Sequence, residues 1–139
     1  MVTLQIPSEY GYVILVSVIS VFVNIWMAMK VGSARKKYGI KYPVMYSESN
    51  NVFNCIQRAH QNFLENFTQF QVLLLLGGIH YPQLGAAAGL VWLLGRIVYA
   101  IGYSTGDPQK RLQGGFQYLG LLFLLFSTVR LGVGLLGWV

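Results

Sequence analysis

Three long stretches of the chain carry no charged residue. They lie between Glu9 and Lys30, between Glu65 and Arg96, and over residues 112–129. A helix that crosses a bilayer needs about 20 mainly apolar residues, so each stretch is long enough to supply one. The pattern therefore predicts an integral membrane protein with an all-α fold.

The middle stretch holds parts of two helices. It is interrupted by the polar sequence HYPQ at residues 80–83, which we interpret as a short turn before a helix that starts with proline. No shift in composition marks a domain boundary, so residues 1–139 are predicted to form one domain, a transmembrane four-helix bundle. The predicted spans cover about residues 10–30, 50–78, 83–104 and 109–135.

Two polar segments are predicted to begin helices. The sequence SESN at residues 47–50 supplies N-cap side chains for the second span. Asp107 followed by Pro108 is the pattern of an N-cap and a first helical residue, here for the fourth span. The basic segment from Val31 to Tyr46 is predicted to be the loop between the first two spans.

The net charge of +6 comes mainly from the predicted loops. Five of the ten Lys and Arg residues fall within residues 30–41, Lys110 and Arg111 lie between the third and fourth spans, and the HYPQ turn has none. By the positive-inside rule, the first and third loops face the cytosol and both termini face the lumen. We therefore attribute the excess of basic residues to membrane topology and not to nucleic-acid binding.

Polar residues follow a helical spacing in the second span. The sequence FNCIQRAHQNFLE at residues 53–65 places Arg58, Asn62 and Glu65 three or four residues apart, and hence on one helix face. Ionisable residues inside a membrane helix are costly and indicate a functional site. Two further sets lie at the same cytosolic level, namely Arg35 with Lys36, and Arg96, Tyr99 and Tyr103 with Lys110 and Arg111.

The pooled residues suit a small, flexible, net-anionic ligand that also carries an ammonium group. Arginines would pair with its carboxylates, Glu65 would hold the ammonium, and Asn62 and the tyrosines would bind amide groups. Structural alternatives stay open for the same residues. Arg58 and Glu65 could form a purely structural ion pair, the tyrosines could be interfacial aromatics, and Arg111 could only set topology.

Three other features carry weaker signals. Cys55 is the only cysteine, which excludes an internal disulfide and leaves a packed residue or a redox-sensitive thiol. No metal-ligand spacing surrounds it. His60 lies off the polar stripe, which favours a packed or hydrogen-bonded role. Gly85 and Gly89 form a GxxxG motif that indicates either a close helix contact or only a run of small residues.

Several segments are similar to one family of membrane proteins. The signature FNCIQRAHQN followed by Glu65 resembles that of the membrane-associated proteins in eicosanoid and glutathione metabolism (MAPEG). The segments EYGYV, SARKKY, YPVMY and GYSTGDPQKR look like the type 3 microsomal glutathione S-transferases of that family. The resemblance covers nearly the whole chain in one register.

The resemblance implies a homotrimer of four-helix subunits in the endoplasmic reticulum membrane, with glutathione as co-substrate between adjacent subunits and no metal. It implies a glutathione S-transferase and peroxidase that acts on lipophilic electrophiles, including leukotriene-type epoxides, and on lipid hydroperoxides. In this sequence the catalytic residue would be Arg111, and the glutathione-binding residues would be Arg35, Arg58, His60, Asn62, Glu65, Tyr99 and Tyr103.

The sequence departs from the leukotriene-forming synthase of the family at several places, one of which is Lys36 in place of a second Arg. His60 stands where that enzyme has Gln, and Asn66 where it has a ligand-binding Tyr. The segment after Tyr103 is one residue longer, so either Lys110 or Arg111 could face the sulfur. Two rival functions are a non-enzymatic, lipid-presenting protein like the 5-lipoxygenase-activating protein, and a membrane scaffold or channel that does not bind glutathione.

Overall fold

The computed structural model describes residues 1–139 and contains helices without any strand, which confirms the all-α prediction. The chain forms four α-helices, with a loop over residues 39–50 between the first two and a 3-10 helix before the last. The helices are α1 (Tyr10–Tyr38), α2 (Asn51–His80), α3 (Pro82–Tyr103), the 3-10 helix (Pro108–Gly114) and α4 (Gln117–Leu135).

Three of the helices are long and apolar enough to cross a membrane. These are α1, α3 and α4. Helix α2 is the longest at 30 residues, but the polar side chains of its first half lower its hydropathy. It packs against all three apolar helices, α1, α3 and α4.

The core is formed mainly by α1, α2 and α3, and α4 contributes Leu124 to it. The rings of Phe70 and Trp92 stack with centroids 3.9 Å apart, and Phe63 packs on the same indole at 5.5 Å. Leu74 and Leu124 are fully buried beside them. Aromatic burial of this kind is the main apolar contribution of a helix pair, and here it fixes α3 against α2.

The GxxxG motif of α3 makes close contacts within the chain. Gly85 lies so near the Gly78 backbone that a Cβ atom would come within 3.0 Å of the Gly78 Cα. A Cβ atom at Gly89 would meet the side chains of Leu74 and Val16 at 2.9 Å. Small residues therefore let α3 approach α2 and α1 within one subunit.

Helix α1 extends further than the sequence analysis predicted. The expected loop over residues 31–46 was wrong for its first half, because α1 continues to Tyr38 and ends at Gly39 in the left-handed conformation, with φ 67°. Val31 and Ala34 stay buried against Phe53, so the apolar face of the helix is uninterrupted. Lys36 and Lys37 lie on the exposed face of that turn, where their charge is compatible with a helix, and Arg35 is buried.

The predicted helix starts at Asn50 and Asp107 are confirmed. The Asn50 side chain accepts a hydrogen bond from Phe53 N at 2.8 Å, and that of Asp107 accepts one from Gln109 N at 3.0 Å. However, Pro108 begins a 3-10 helix, and α4 starts only at Gln117.

The 3-10 helix is held by close backbone contacts with α3. A Cβ atom at Gly114 would collide with the Gly95 carbonyl and the Tyr99 amide, and one at Gly102 would collide with the Lys110 carbonyl. The glycines let this segment lie flat on α3, which displaces the start of α4 by about two helical turns from the predicted position.

Candidate functional site

Five of the predicted site residues line one polar cleft. The cleft has a volume of about 430 Å³ and lies between α2, α3, the 3-10 helix and the start of α4. We call it the polar cleft. Its walls are formed by Arg58, Asn62, Tyr99, Tyr103, Arg111, Leu112, Gly115, Gln117 and Tyr118.

Helical spacing explains how α2 and α3 present these side chains. Arg58 and Asn62 are four residues apart, as are Tyr99 and Tyr103, so each pair occupies one helix face. The two tyrosine rings lie edge to face, with centroids 5.6 Å apart. The cleft thus has one guanidinium and amide wall and one phenol wall, a combination suited to carboxylate and amide groups.

Glu65 lies beside the polar cleft and pairs with Arg58. The Arg58 guanidinium donates to both carboxylate oxygens, at 2.7 and 3.3 Å. This is the only salt bridge in the chain, and its side chains are 39% and 56% exposed. An exposed ion pair of this kind is weak. A ligand that carries both a carboxylate and an ammonium group can therefore pair with Arg58 and Glu65 in its place.

Arg111 faces the polar cleft from the 3-10 helix. Its guanidinium carbon lies 5.5 Å from the Tyr103 ring centroid, and its Nη1 donates to the Pro108 carbonyl. Lys110 is exposed and does not line the cleft. Of the two basic residues that the sequence left open, Arg111 is therefore the one directed at the cleft.

Arg96 lies beneath the polar cleft and holds its lining residues. It is 2% exposed, and its two terminal nitrogens donate to Asn62 Oδ1 at 2.8 Å and to Gln117 Oε1 at 3.2 Å. Its guanidinium also lies 4.5 Å from the Tyr99 ring centroid. Arg96 has no carboxylate partner, and its Nε has no hydrogen-bond partner. It therefore places a positive charge at the floor of the cleft.

The sequence analysis did not select Arg96 or Gln117 as site residues. Arg96 belongs to the polar set of the third span, but no individual role was predicted for it. Gln117 was missed, although a single amide between the glycines and leucines at the start of α4 was a readable signal. Tyr118 and Leu112 also line the cleft, and their exposed positions carry no distinguishing sequence pattern.

Arg35 lies outside the polar cleft of its own chain. It is 6% exposed, and its Nη1 donates to the Val44 carbonyl at 2.7 Å. Its guanidinium lies 4.3 Å from the Tyr42 ring centroid and 5.3 Å from that of Phe53. Arg35 therefore fixes the loop that follows α1.

His60 also points away from the polar cleft. Its Nε2 lies 2.9 Å from Asn24 Oδ1 on α1, in the half-buried contact between α1 and α2. The predicted residues therefore divide into five that line the cleft, Glu65 beside it, and Arg35 and His60 outside it.

Two amide side chains of α2 hold the same loop as Arg35. Asn54 accepts from the Ser47 amide and donates to the Ser47 carbonyl, both at 2.7 Å. Gln57 donates to the Met45 carbonyl at 3.1 Å. We call Arg35, Asn54 and Gln57 the loop clamp. Their hydrogen bonds run to this loop within the chain, and the buried Arg35 Nε has no hydrogen-bond partner.

Comparison with known proteins gives a consistent family. The model of the MAPEG family matches residues 13–131. Microsomal glutathione S-transferase 2 of Homo sapiens is 34% identical over 119 residues, 85% of this chain and 79% of that protein. The Bos taurus protein of the same name is 36% identical over 121 residues, 86% of this chain and 80% of its own.

A further relative carries a different name. Leukotriene C4 synthase of Bos taurus is 32% identical over 120 residues, which are 85% of this chain and 77% of that protein. Both transferases above are named type 2, so the resemblance to type 3 stays a prediction.

Proposed function

Because the chain belongs to the MAPEG family, we propose that it is a membrane-bound enzyme that binds glutathione in the polar cleft and activates its thiol. The carrying observation is that two arginines, an asparagine and two tyrosines converge on one cleft at the charged end of the helices. The names of the relatives support glutathione as the co-substrate.

The charges of glutathione match the residues around the cleft. Glutathione has two carboxylates, one ammonium group, two amides and a thiol. Arg58 binds a carboxylate and Glu65 binds the ammonium, so the ligand exchanges one exposed ion pair for two. Asn62 and the hydroxyls of Tyr99 and Tyr103 bind the peptide groups. Arg96 adds a buried positive charge that favours a net-anionic ligand.

The proposed chemical role belongs to Arg111. A free thiol has a pKa of about 8.5, so only a few per cent is thiolate at neutral pH. A guanidinium next to the sulfur favours the anion, which is the nucleophile. With an epoxide, the sulfur bonds to carbon, the carbon–oxygen bond breaks, and the oxygen takes a proton from solvent.

The same thiolate accounts for peroxidase activity. It attacks an oxygen of a lipid hydroperoxide, the oxygen–oxygen bond breaks, and the released alkoxide is protonated to the alcohol. The resulting sulfenic acid reacts with a second glutathione to give the disulfide and water. No covalent intermediate with the protein is required.

A membrane position brings the two substrates together. We propose that α2 crosses the bilayer with the other three helices, because its 30 residues measure about 45 Å and it packs against α1, α3 and α4. Apolar electrophiles concentrate in the lipid, and glutathione enters from the cytosol. We place the protein in the endoplasmic reticulum membrane, as the microsomal name of its relatives favours, with lumenal termini, as the basic loops favour.

We further propose a homotrimer with shared sites. Arg35 and His60 lie outside the polar cleft of their own chain. We propose that they contact a glutathione bound in the polar cleft of an adjacent subunit. Each subunit then supplies residues to two sites.

Product analysis tests the proposed function. Protein in liposomes is given glutathione with a lipophilic epoxide or a lipid hydroperoxide, and mass spectrometry measures the thioether, the alcohol and glutathione disulfide. We expect at least one reaction to exceed the rate of protein-free liposomes. Glutathione binding without any product would favour the lipid-presenting alternative, and no binding would favour a scaffold or channel.

A further inference from the structure

A second groove lies at the same end of the helices but on a different face of α2. It has a volume of about 390 Å³ and is formed by the last turns of α1, the start of α2 and the end of α3. We call it the lysine groove. The residues that carry the argument are Trp26, Lys30, Ser33, Lys37, Val52 and Ile56.

The two lysines of the groove have no acidic partner. Lys30 and Lys37 are seven residues apart, about 10 Å along the helix and on the same face. The Lys30 ammonium lies 5.0 Å from the Trp26 ring centroid, and the Lys37 ammonium 5.3 Å from that of Tyr38. Because the only salt bridge of the chain is elsewhere, both ammonium groups are free to bind an anion.

The walls of the groove are apolar where a lipid chain would lie. Trp26, Val52 and Ile56 line it as half-buried side chains, and Ser33 provides a hydroxyl on the α1 side, between the two lysines in sequence. Basic pockets between transmembrane helices bind anionic headgroups when apolar surface continues below the charges. The lysine groove has this arrangement of charge and apolar wall.

We propose that the lysine groove binds an anionic phospholipid. Its phosphate lies between Lys30 and Lys37 and accepts a hydrogen bond from Ser33. One acyl chain follows Trp26, Val52 and Ile56. The site is separate from the polar cleft and does not depend on the proposed reaction.

Nearby lysines provide a matched control. Lys36 and Lys41 belong to the same basic segment, are exposed and do not line the groove. Replacing Lys36 and Lys41 by Gln removes the same charge as replacing Lys30 and Lys37. Only the replacement of Lys30 and Lys37 should abolish specific lipid binding.

Quenching of Trp26 by brominated lipid tests the proposal. Protein with Trp138→Phe is reconstituted in phosphatidylcholine vesicles that contain increasing amounts of dibrominated phosphatidylglycerol or dibrominated phosphatidylcholine. Trp92 is 1% exposed in the core, and a Trp26→Phe variant measures its contribution. We expect phosphatidylglycerol to bind at least about fivefold more tightly than phosphatidylcholine at Trp26, the factor expected for one lysine.

The variants decide between a site and general attraction. In Lys30→Gln/Lys37→Gln the preference should fall to about one, while Lys36→Gln/Lys41→Gln should keep at least half of it. Lys30→Arg/Lys37→Arg should also keep it, which controls for folding. Equal losses in both Gln pairs, or no preference in the parent protein, would overturn the proposal. So would the absence of quenching by either lipid, which would indicate that a second copy of the chain covers the groove.

Discussion

The polar cleft and the loop clamp use similar residues for different purposes. Both contain an arginine and amide side chains of α2, and both lie at the charged end of the helices. In the loop clamp, the donors reach backbone carbonyls 2.7–3.1 Å away in the same chain. In the polar cleft, the side chains surround about 430 Å³ of space. Polar residues of α2 thus suggest ligand binding only where the fold leaves open space in front of them.

Arg111→Ala should have the largest effect on activity. We expect turnover to fall about 100- to 1,000-fold, the loss typical of removing one group that stabilises a developing anion. The dissociation constant of glutathione should change less than about threefold, because Arg58 and Glu65 still bind the ends of the ligand. Steady-state kinetics and calorimetry measure the two quantities. Lys110→Ala is the matched control, and an equal loss in that variant would remove the special role of Arg111.

Arg96→Gln should weaken glutathione binding strongly. Two charged hydrogen bonds to Asn62 and Gln117 are lost, and bonds of this kind contribute about 1.5–3 kcal/mol each. We expect affinity to fall at least about tenfold by titration calorimetry. Arg130→Gln, on the distant part of α4, is the control and should bind normally. Unchanged binding in Arg96→Gln would show that the cleft does not need its buried cation.

Arg58→Ala and Glu65→Ala should affect binding more than turnover. Each variant loses one charged contact with the ligand, so KM should rise about 5- to 20-fold while kcat at saturating glutathione stays within about threefold. Initial rates at varied glutathione measure both constants. If KM stays unchanged in both variants, the ion pair of α2 is structural, as the alternative interpretation of the sequence held.

Asn54→Ala should have the smallest effect on glutathione. Asn54 bonds only to Ser47, so the variant loses two loop contacts and should lower the thermal midpoint by several degrees, as a loss of about 1 kcal/mol does. The dissociation constant should stay within about twofold of the parent value. Thermal unfolding in detergent and calorimetry separate the two effects. A large loss of glutathione affinity with an unchanged thermal midpoint would show that Asn54 belongs to the binding site and not only to the loop clamp.

The sequence was sufficient for features that local chemistry sets. Charge-free stretches located the apolar helices, and the Asn50 and Asp107 caps were readable because the capping atom and its amide are two or three residues apart. The length of α1 was not readable. Lys36 and Lys37 suggested a loop, but both lie on the exposed side of a helix whose other face stays buried.

Features set by distant contacts escaped the sequence analysis. The 3-10 helix depends on the contact of Gly114 with the Gly95 carbonyl, and no local sequence pattern predicts that contact. Helical spacing did place Arg58 with Asn62, and Tyr99 with Tyr103, on one face of each helix, and both pairs line one cleft. It could not show that Arg35 points to a loop, because the direction of a long side chain depends on its tertiary partners. The roles of all these residues stay predictions.

The most direct measurement is the thiolate of bound glutathione. Ultraviolet absorbance is followed by stopped flow when glutathione is mixed with the detergent-purified protein at neutral pH, for the parent chain, Arg111→Ala and Lys110→Ala. The account predicts a thiolate signal in the parent and in Lys110→Ala and its loss in Arg111→Ala, with glutathione still bound. Bound glutathione without a thiolate signal in the parent, or a full signal in Arg111→Ala, would contradict it.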